Sequence, residues 1–165
     1  MSWDISVMAS STPPPPVEQM PRDWRGVSLG SQSDIRQKIS TVLPRVDWSD
    51  PTWGIFEGEG FSFEFNMGEK DPSDGFMVHV RGGGPAVTKL FELGQSTGWF
   101  LLDCSQGEWL HHCKEPDAGW IGFQAYRDRV IASMGNNTEP SAAPNGGSAK
   151  QHGNSRVSEG APSVN

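Results

Sequence analysis

The segment Arg81-Gly82-Gly83-Gly84 has the composition of an anion-binding turn between a predicted strand and a predicted helix. Three glycines free the backbone to point several N–H groups at one spot, and the helix N-terminus adds its positive dipole end. Arg81 can hold a phosphate or carboxylate with two hydrogen bonds. The spacing matches neither G-x-x-x-x-G-K-[ST] nor G-x-G-x-x-G with a suitable acidic residue downstream. A tight strand-to-helix connection also needs glycine for its geometry alone. We therefore favour a structural role and keep anion binding as the alternative.

A second candidate is the polar face of the predicted sheet. Glu64 and Asn66 on one strand are expected to lie opposite His79 and Arg81 on its antiparallel neighbour. A carboxylate, an amide, an imidazole and a guanidinium on one surface suit acid–base chemistry. The simpler interpretation is cross-strand ion pairing on a solvated face, worth about 0.2–1 kcal/mol. Because the sequence indicates neither a nucleophile nor a walled pocket, we favour ion pairing and predict no catalytic residue.

Cys104, His111, His112 and Cys113 have the side chains of a zinc site but not its spacing. Structural zinc sites use closely spaced pairs such as C-x2-4-C or H-x3-5-H. Here three of the four residues are contiguous, and neighbours on an extended segment point to opposite faces. We therefore predict neither a metal nor another cofactor, and we interpret Cys104 as a small buried apolar residue.

Tryptophan is unusually frequent, with seven residues in a chain of 165. Partly exposed tryptophans often hold protein interfaces together, and Trp48, Trp53 and Trp109 are the candidates for such a role. The alternative is that the tryptophans cover a small core beneath the loops. The net charge of −7 argues against a general nucleic-acid binder. A protein partner, basic in charge, fits this surface best.

Hydrophobic periodicity predicts the elements that must position these side chains. Trp3, Ile5 and Val7 alternate with polar residues as in a half-buried strand, and two later strands repeat this alternation. Ser31 and Asp34 resemble a helix-start box. Strands are predicted at 2–8, 53–56 (after a turn at 49–51), 61–67, 75–81, 99–104 and 108–110, and helices at 31–43, 85–94 and 120–134. This order predicts an α+β fold, with an antiparallel sheet of about five to six strands and two to three helices packed on one face.

The sequence divides into one predicted domain, residues 1–135, and a predicted disordered tail, residues 136–165. The tail consists almost entirely of small and polar residues, which cannot offset about 1–2 kcal/mol of backbone entropy per residue. Its charges cancel, so the net charge of −7 belongs to the domain. Residues 9–30 form a proline-containing connector within the domain. The run Pro13-Pro14-Pro15-Pro16 predicts a stiff link rather than a recognition motif, because no arginine flanks it.

Cellular location is indicated mainly by what the sequence lacks. No stretch approaches the roughly 18 apolar residues that cross a bilayer, and the N-terminus has no basic and apolar regions of a secretory signal. Two cysteines cannot form a disulfide scaffold, which favours a reducing compartment. We therefore expect a soluble, cytoplasmic protein without a membrane partner. The oligomeric state stays open.

Several segments carry a resemblance: Met1-Ser2-Trp3-Asp4-Ile5, Asp-Trp-Ser-Asp-Pro-Thr-Trp-Gly at 47–54, Phe-Met-Val-His-Val-Arg-Gly-Gly-Gly at 76–84, and 99–108. Together they resemble a family of small uncharacterised bacterial proteins with no assigned activity. The resemblance covers roughly residues 1–110. It implies a bacterial source and a shared compact fold, and it transfers no catalytic residue. In size and type the chain is also similar to immunity proteins of bacterial toxin systems, which is an analogy.

Two functions follow as hypotheses. The first is a non-enzymatic, acidic, tryptophan-rich module that binds a protein, as an immunity protein or antitoxin does. The alternative is a small-molecule or anion-binding protein, with or without enzymatic activity, that uses the Arg81–Gly84 turn and the Glu64/His79 face. A groove bounded by Glu64, His79 and Arg81 would favour the alternative. A flat acidic patch with an exposed tryptophan would favour the protein-binding module.

Overall fold

The computed structural model describes residues 1–135, so the predicted tail lies outside the described residues, and its disorder and the boundary at 135 stay predictions. The strands are β1 (Trp3–Met8), β2 (Asp47–Asp50), β3 (Trp53–Glu57), β4 (Phe61–Asn66), β5 (Gly75–Gly82), β6 (Phe100–Asp103) and β7 (Glu108–Trp109). The helices are α1 (Gln32–Val42), α2 (Ala86–Thr97) and α3 (Ala118–Gly135), with a short 3-10 helix at Val17–Gln19. Within residues 1–135, none of the helices is both long and apolar enough to span a membrane.

All seven strands form one antiparallel sheet in the order β2-β3-β4-β5-β1-β6-β7. The predicted α+β class is confirmed, and the sheet has one strand more than the predicted range. The additional strand is β2 at one edge, where the sequence predicts a turn at 49–51. Because β2 is short, mostly exposed and shifted in register between Asp47 and Asp50, it carries no readable apolar alternation.

One face of the sheet packs against the helices and forms the core. Phe63 lies opposite Val80 and Phe65 opposite Val78 in the pairing of β4 with β5, and all four side chains are fully buried. Strand alternation therefore places the predicted apolar set on this face and the polar set on the other. The helices cover the core face with the buried side chains of Ile35, Ile39, Leu90, Leu93 and Trp120.

Strand β1 lies in the interior of the sheet, between β5 and β6. Trp3 is 1% exposed, and the centroid of its ring lies 5.6 Å from that of Trp120 on α3. A Cβ atom at Gly119 would lie 2.9 Å from the Trp3 Nε1 atom, so glycine allows α3 to begin close against β1. The N-terminal segment is thus a core strand, as its alternation predicts.

The ends of α1 agree with those predicted from the sequence, whereas the C-terminal end of α2 differs from the prediction. The Ser31 hydroxyl caps α1 by accepting a hydrogen bond of 3.1 Å from the Asp34 backbone N–H. Helix α2 does not end near Gly94 but continues to Thr97, and Gly98 terminates it with a left-handed φ of 73°. Gly94 instead permits close packing, because a Cβ atom there would lie 2.7 Å from Leu101 Cδ1.

The proline-containing connector, residues 9–30, packs against the β6–β7 end of the sheet. The Pro15 carbonyl accepts a hydrogen bond of 3.0 Å from Trp109 Nε1, and Pro14 is buried. The ring centroids of Trp24 and Trp109 are 6.1 Å apart. The connector is therefore packed against the sheet, and the stiffness of its proline run stays a prediction.

Candidate functional site

We use the name open face for the sheet surface opposite the helices. It carries the alternate residues of the central strands, including Asp4 on β1, Glu64 on β4, and His79 and Arg81 on β5. The polar-face residues predicted from sequence therefore do share one surface. Asn66 lies on it opposite Met77, two positions along the β4–β5 ladder from the Glu64–His79 pair, and therefore not opposite His79 or Arg81 as the sequence predicts.

Glu64 and Arg81 form a two-pronged ion pair on the open face. Arg81 Nε donates to Glu64 Oε1 at 2.5 Å, and Nη2 donates to Oε2 at 3.1 Å. Arg81 Nη1 also donates to the Met1 carbonyl at 3.0 Å. The hydrogen bonds to Glu64 raise the pKa of Arg81 above its usual value although burial opposes the shift. The guanidinium is thereby directed along the sheet, toward Glu64.

His79 is held by Asp4 and Trp53. Its Nδ1 lies 2.8 Å from Asp4 Oδ1, and its ring stacks on Trp53 with centroids 5.6 Å apart and planes 20° apart. Partial burial raises the pKa of Asp4, but the hydrogen bonds from His79 and Ser2 outweigh it, so the pKa lies below its usual value. Asp4 is therefore an ionised hydrogen-bond acceptor that orients the imidazole.

An acidic edge borders these pairs at the β2–β3 end of the open face. We use this name for Asp47, Asp50 and Glu57 together with the apolar Trp53 and Ile55. Asp47 lies opposite Ile55 and Asp50 opposite Trp53, so the register shift in β2 brings both carboxylates beside the apolar pair. Ile55 is 40% exposed, and Trp53 is partly exposed.

Local turns keep the two aspartates of the acidic edge ionised. The side chain and backbone N–H of Ser49 hydrogen-bond to Asp47 Oδ1 at 2.6 and 2.8 Å, and these bonds lower the pKa of Asp47. Thr52 does the same for Asp50 at 2.7 and 2.8 Å and lowers its pKa. Hydrogen bonds to the charged form favour it, so both carboxylates are negative at neutral pH.

The glycine turn is occupied by another part of the chain. Gly83 N–H donates to the Gly60 carbonyl at 2.6 Å. A Cβ atom at Gly82 would lie 2.5 Å from Gly60 O, and one at Gly84 would lie 2.4 Å from Glu59 O. Both residues also have positive φ, 86° and 72°. The β3–β4 hairpin thus fills the space beside the turn. This packing favours the structural role of the glycines, and anion binding there stays a prediction.

The three tryptophans proposed for an interface differ in their surroundings. Trp109 is 1% exposed, because the connector covers it, which removes it from the candidate set. Trp48 is partly buried and faces the core, where its Nε1 donates to Ser40 Oγ at 3.0 Å. Of these three, Trp53 remains as a partly exposed tryptophan on the open face.

The cysteines and the histidine pair lie at the β6–β7 end of the sheet. In the described residues, 1–135, no three His, Cys, Asp or Glu side chains converge on a position for an ion. Contrary to the sequence interpretation, Cys104 is exposed. Although the residue is exposed, partial desolvation of the thiol raises the pKa of Cys104. Partial burial of the Cys113 thiol and its hydrogen bond to Glu108 raise the pKa of Cys113 to about 11. Neither thiol is therefore a ready nucleophile at neutral pH.

Two features of this surface are not readable from the sequence. Alternation with Trp3 and Ile5 predicts a polar face for Asp4, but its contact with His79 requires the adjacency of β1 and β5. The acidic edge requires β2, where the sequence predicts a turn. The signal available is the pair of acids flanking Trp48 at positions 47 and 50, each followed two residues later by a hydroxyl side chain.

Comparison of the chain with family models, with curated proteins and with solved structures finds no match. The chemistry of the site therefore rests on its geometry. On the open face the carboxylates of Asp4 and Glu64 are paired with His79 and Arg81. The acidic edge carries further negative charge beside the exposed Ile55 and the partly exposed Trp53, and within residues 1–135 its carboxylates form no salt bridge.

Proposed function

We propose that this chain is a non-enzymatic protein-binding module that binds a basic protein through the acidic edge of its open face. The observation that carries the proposal is the 40% exposure of Ile55 beside Trp53 on the sheet surface that the helices leave free. Binding a basic toxin, as an immunity protein does, is one form of this function.

The acidic edge has the composition of a protein interface. Interfaces combine an apolar centre, often aromatic, with a polar rim. Ile55 and Trp53 supply the centre, and Asp47, Asp50 and Glu57 supply a rim of one sign. Such a rim accelerates the approach of a positively charged partner and selects against acidic ones.

The surface is also ordered before binding. Trp53 lies on a strand paired on both sides and stacks on His79, which Asp4 holds by a hydrogen bond. The two aspartates of β2 are held by turns to Ser49 and Thr52. Side chains that are already fixed lose little entropy when a partner binds, so more of the contact energy appears as affinity.

The two side-chain pairs on the open face, Glu64 with Arg81 and Asp4 with His79, support binding rather than catalysis. Glu64 and Arg81 satisfy each other, and Asp4 and His79 do the same. The cavities of about 330 and 540 Å³ beside α2 are lined by other residues. A reacting group would have to displace these pairs, whereas a protein that covers the acidic edge leaves them intact.

The test begins with affinity capture from a lysate of the source organism, identification of the captured protein and measurement of the dissociation constant between purified components. We expect Ile55→Ala to weaken binding about tenfold, or about 1.4 kcal/mol. Ile121→Ala, at an exposed position of α3, is the matched control and should leave affinity unchanged. Equal losses in the two variants, or no loss in Ile55→Ala, would refute the proposed surface.

The charge of the rim is tested separately. Asp47→Asn with Asp50→Asn removes two charges while the amide oxygen can still accept the turn hydrogen bonds. We expect slower association and a weaker dependence of affinity on salt. Glu69→Gln with Glu115→Gln removes the same charge at exposed positions elsewhere and serves as the control. Equal effects of the two pairs would show that net charge, not the acidic edge, attracts the partner.

A further inference from the structure

A cavity of about 330 Å³ lies between the C-terminal half of α2 and the start of β6. It is lined by Leu90 and Phe91 of α2, by Phe100 and Leu101 of β6, and by Leu110 and His111. This volume lies in the range of small-molecule sites. The sheet order places it near the β6–β7 edge, at the opposite end from the acidic edge.

The cavity exists because the elements around it end early. β7 pairs only with Leu102 and Asp103 of β6, so Phe100 has no partner in β7. Helix α2 ends at Thr97, and a Cβ atom at the following residue, Gly98, would meet nothing within 4 Å among the described residues. Pro13 of the connector contributes to the rim without filling the space. These side chains leave a concave apolar surface that the chain itself does not occupy within residues 1–135.

The lining is largely apolar and carries one titratable side chain. Among the described residues that line the cavity, His111 is the single ionisable one, and Gln95 adds an amide. Partial burial lowers the pKa of His111 below its usual 6.5, and electrostatic repulsion from the adjacent imidazole of His112 opposes protonation further, so the neutral form of His111 predominates at pH 7. A neutral imidazole both accepts and donates one hydrogen bond. Lys38 lies 5.9 Å from the Trp99 ring centroid but does not line the cavity.

We propose that this cavity binds a small, uncharged aromatic molecule with a hydroxyl group that hydrogen-bonds to His111. The rings of Phe91, Trp99 and Phe100 line the space and favour stacked or edge-on contact with an aromatic ligand. An ionised ligand would lose its hydration without an opposite charge in the described lining to compensate. Apolar cavities of smaller volume bind single aromatic rings, so two fused rings suit this one.

The test uses the full chain with 1-naphthol as the probe, followed by backbone amide chemical shifts and calorimetry. We expect saturable binding with a dissociation constant of about 0.1 mM, with the shift changes concentrated at residues 90–101 and 110–111. Naphthalene-1-carboxylate has the same rings and a negative charge, and it should bind at least about tenfold more weakly. The proposal is overturned if 1-naphthol binding does not saturate, if the chemical shift changes are centred elsewhere, or if naphthalene-1-carboxylate binds with equal affinity.

A matched pair of variants locates the site. Gln95→Trp places a large ring at the mouth of the cavity, and we expect it to weaken 1-naphthol binding about tenfold. Ser96→Trp makes the same change at the neighbouring exposed position, which does not line the cavity, and should leave affinity within about twofold. Equal affinities in the two variants would refute the location. Since Ile55 lies at the other end of the sheet, Ile55→Ala should bind 1-naphthol normally whether or not the proposed protein partner exists.

Discussion

The bidentate pair of Arg81 with Glu64 allows one prediction that separates the structural and anion-binding interpretations. Arg81→Met keeps the aliphatic stem and removes the guanidinium, which makes two hydrogen bonds to Glu64 and one to the Met1 carbonyl. The Glu64 side chain is only 20% exposed, so the variant leaves a mostly buried carboxylate without its cation. We therefore expect a loss of stability with no ligand present.

The magnitude follows from burial and exposure together. Hydrogen bonds between charged groups contribute about 1.5–3 kcal/mol in sheltered sites, whereas exposed ion pairs contribute about 0–1 kcal/mol. Arg81 is 41% exposed, so solvent screens part of the interaction. We expect Arg81→Met to lower the free energy of unfolding by about 1–2 kcal/mol, which corresponds to a fall in Tm of about 3–8 °C.

Urea unfolding followed by tryptophan fluorescence measures this loss, and a double-mutant cycle assigns it to the pair. Combining Arg81→Met with Glu64→Gln should give a coupling energy of about 1 kcal/mol. Arg45→Met removes a guanidinium from an exposed loop position and should change stability by less than about 0.5 kcal/mol.

Two results would contradict this reasoning. A coupling energy below about 0.3 kcal/mol would show that the pair contributes no specific stability. The other result combines two observations: millimolar phosphate raises the Tm of the unaltered chain, and Arg81→Met keeps the stability of the free protein but loses that response. This second outcome would establish the anion-binding hypothesis for the 81–84 turn.

Three further predictions concern packing and pH. Gly54→Ala should lower the free energy of unfolding by about 1–3 kcal/mol, because the added Cβ atom would lie 2.3 Å from the Trp48 ring. In the control Gly122→Ala, the added Cβ atom meets nothing within 4 Å among the described residues, so this variant should be neutral or stabilise by up to about 1 kcal/mol; equal urea midpoints for the two variants would refute the packing of Gly54 against Trp48. Trp3→Ala should lower the free energy of unfolding, measured in urea, by about 3–5 kcal/mol. Trp3→Phe should lower it much less, because the buried Nε1 has no hydrogen-bond partner within the described residues. If a truncated chain that lacks residues 1–10 unfolds at the same urea concentration, β1 is not a core strand. The pKa of Asp4 in the folded protein lies below its usual value of 3.8, so the ionised side chain stabilises the fold above pH 3.8, and this stability is lost as the pH falls through the lower folded-state pKa. Asp4→Asn should therefore make the free energy of unfolding depend less steeply on pH under acidic conditions. An unchanged pH dependence would contradict the Asp4–His79 contact.

Alternation in the sequence was sufficient to decide which face each central strand presents to the core. Phe63 and Phe65 are buried while Glu64 lies on the open face, as the period of two requires. The face on which Trp3 lies and the Ser31 cap of α1 were likewise readable, because alternation and capping depend on residues a few positions apart. These properties are local, so neighbouring residues determine them.

Tertiary structure decided what lies beside and above each residue. Asp4 meets His79 because β1 inserts next to β5, a contact across 75 positions of the chain. Trp109 is covered by Pro15, which lies 94 positions away, and the β3–β4 hairpin fills the space next to the 81–84 turn. Lateral strand order and the covering of a side chain depend on segments remote in sequence, and short-range periodicity carries no information about which remote segments pack together.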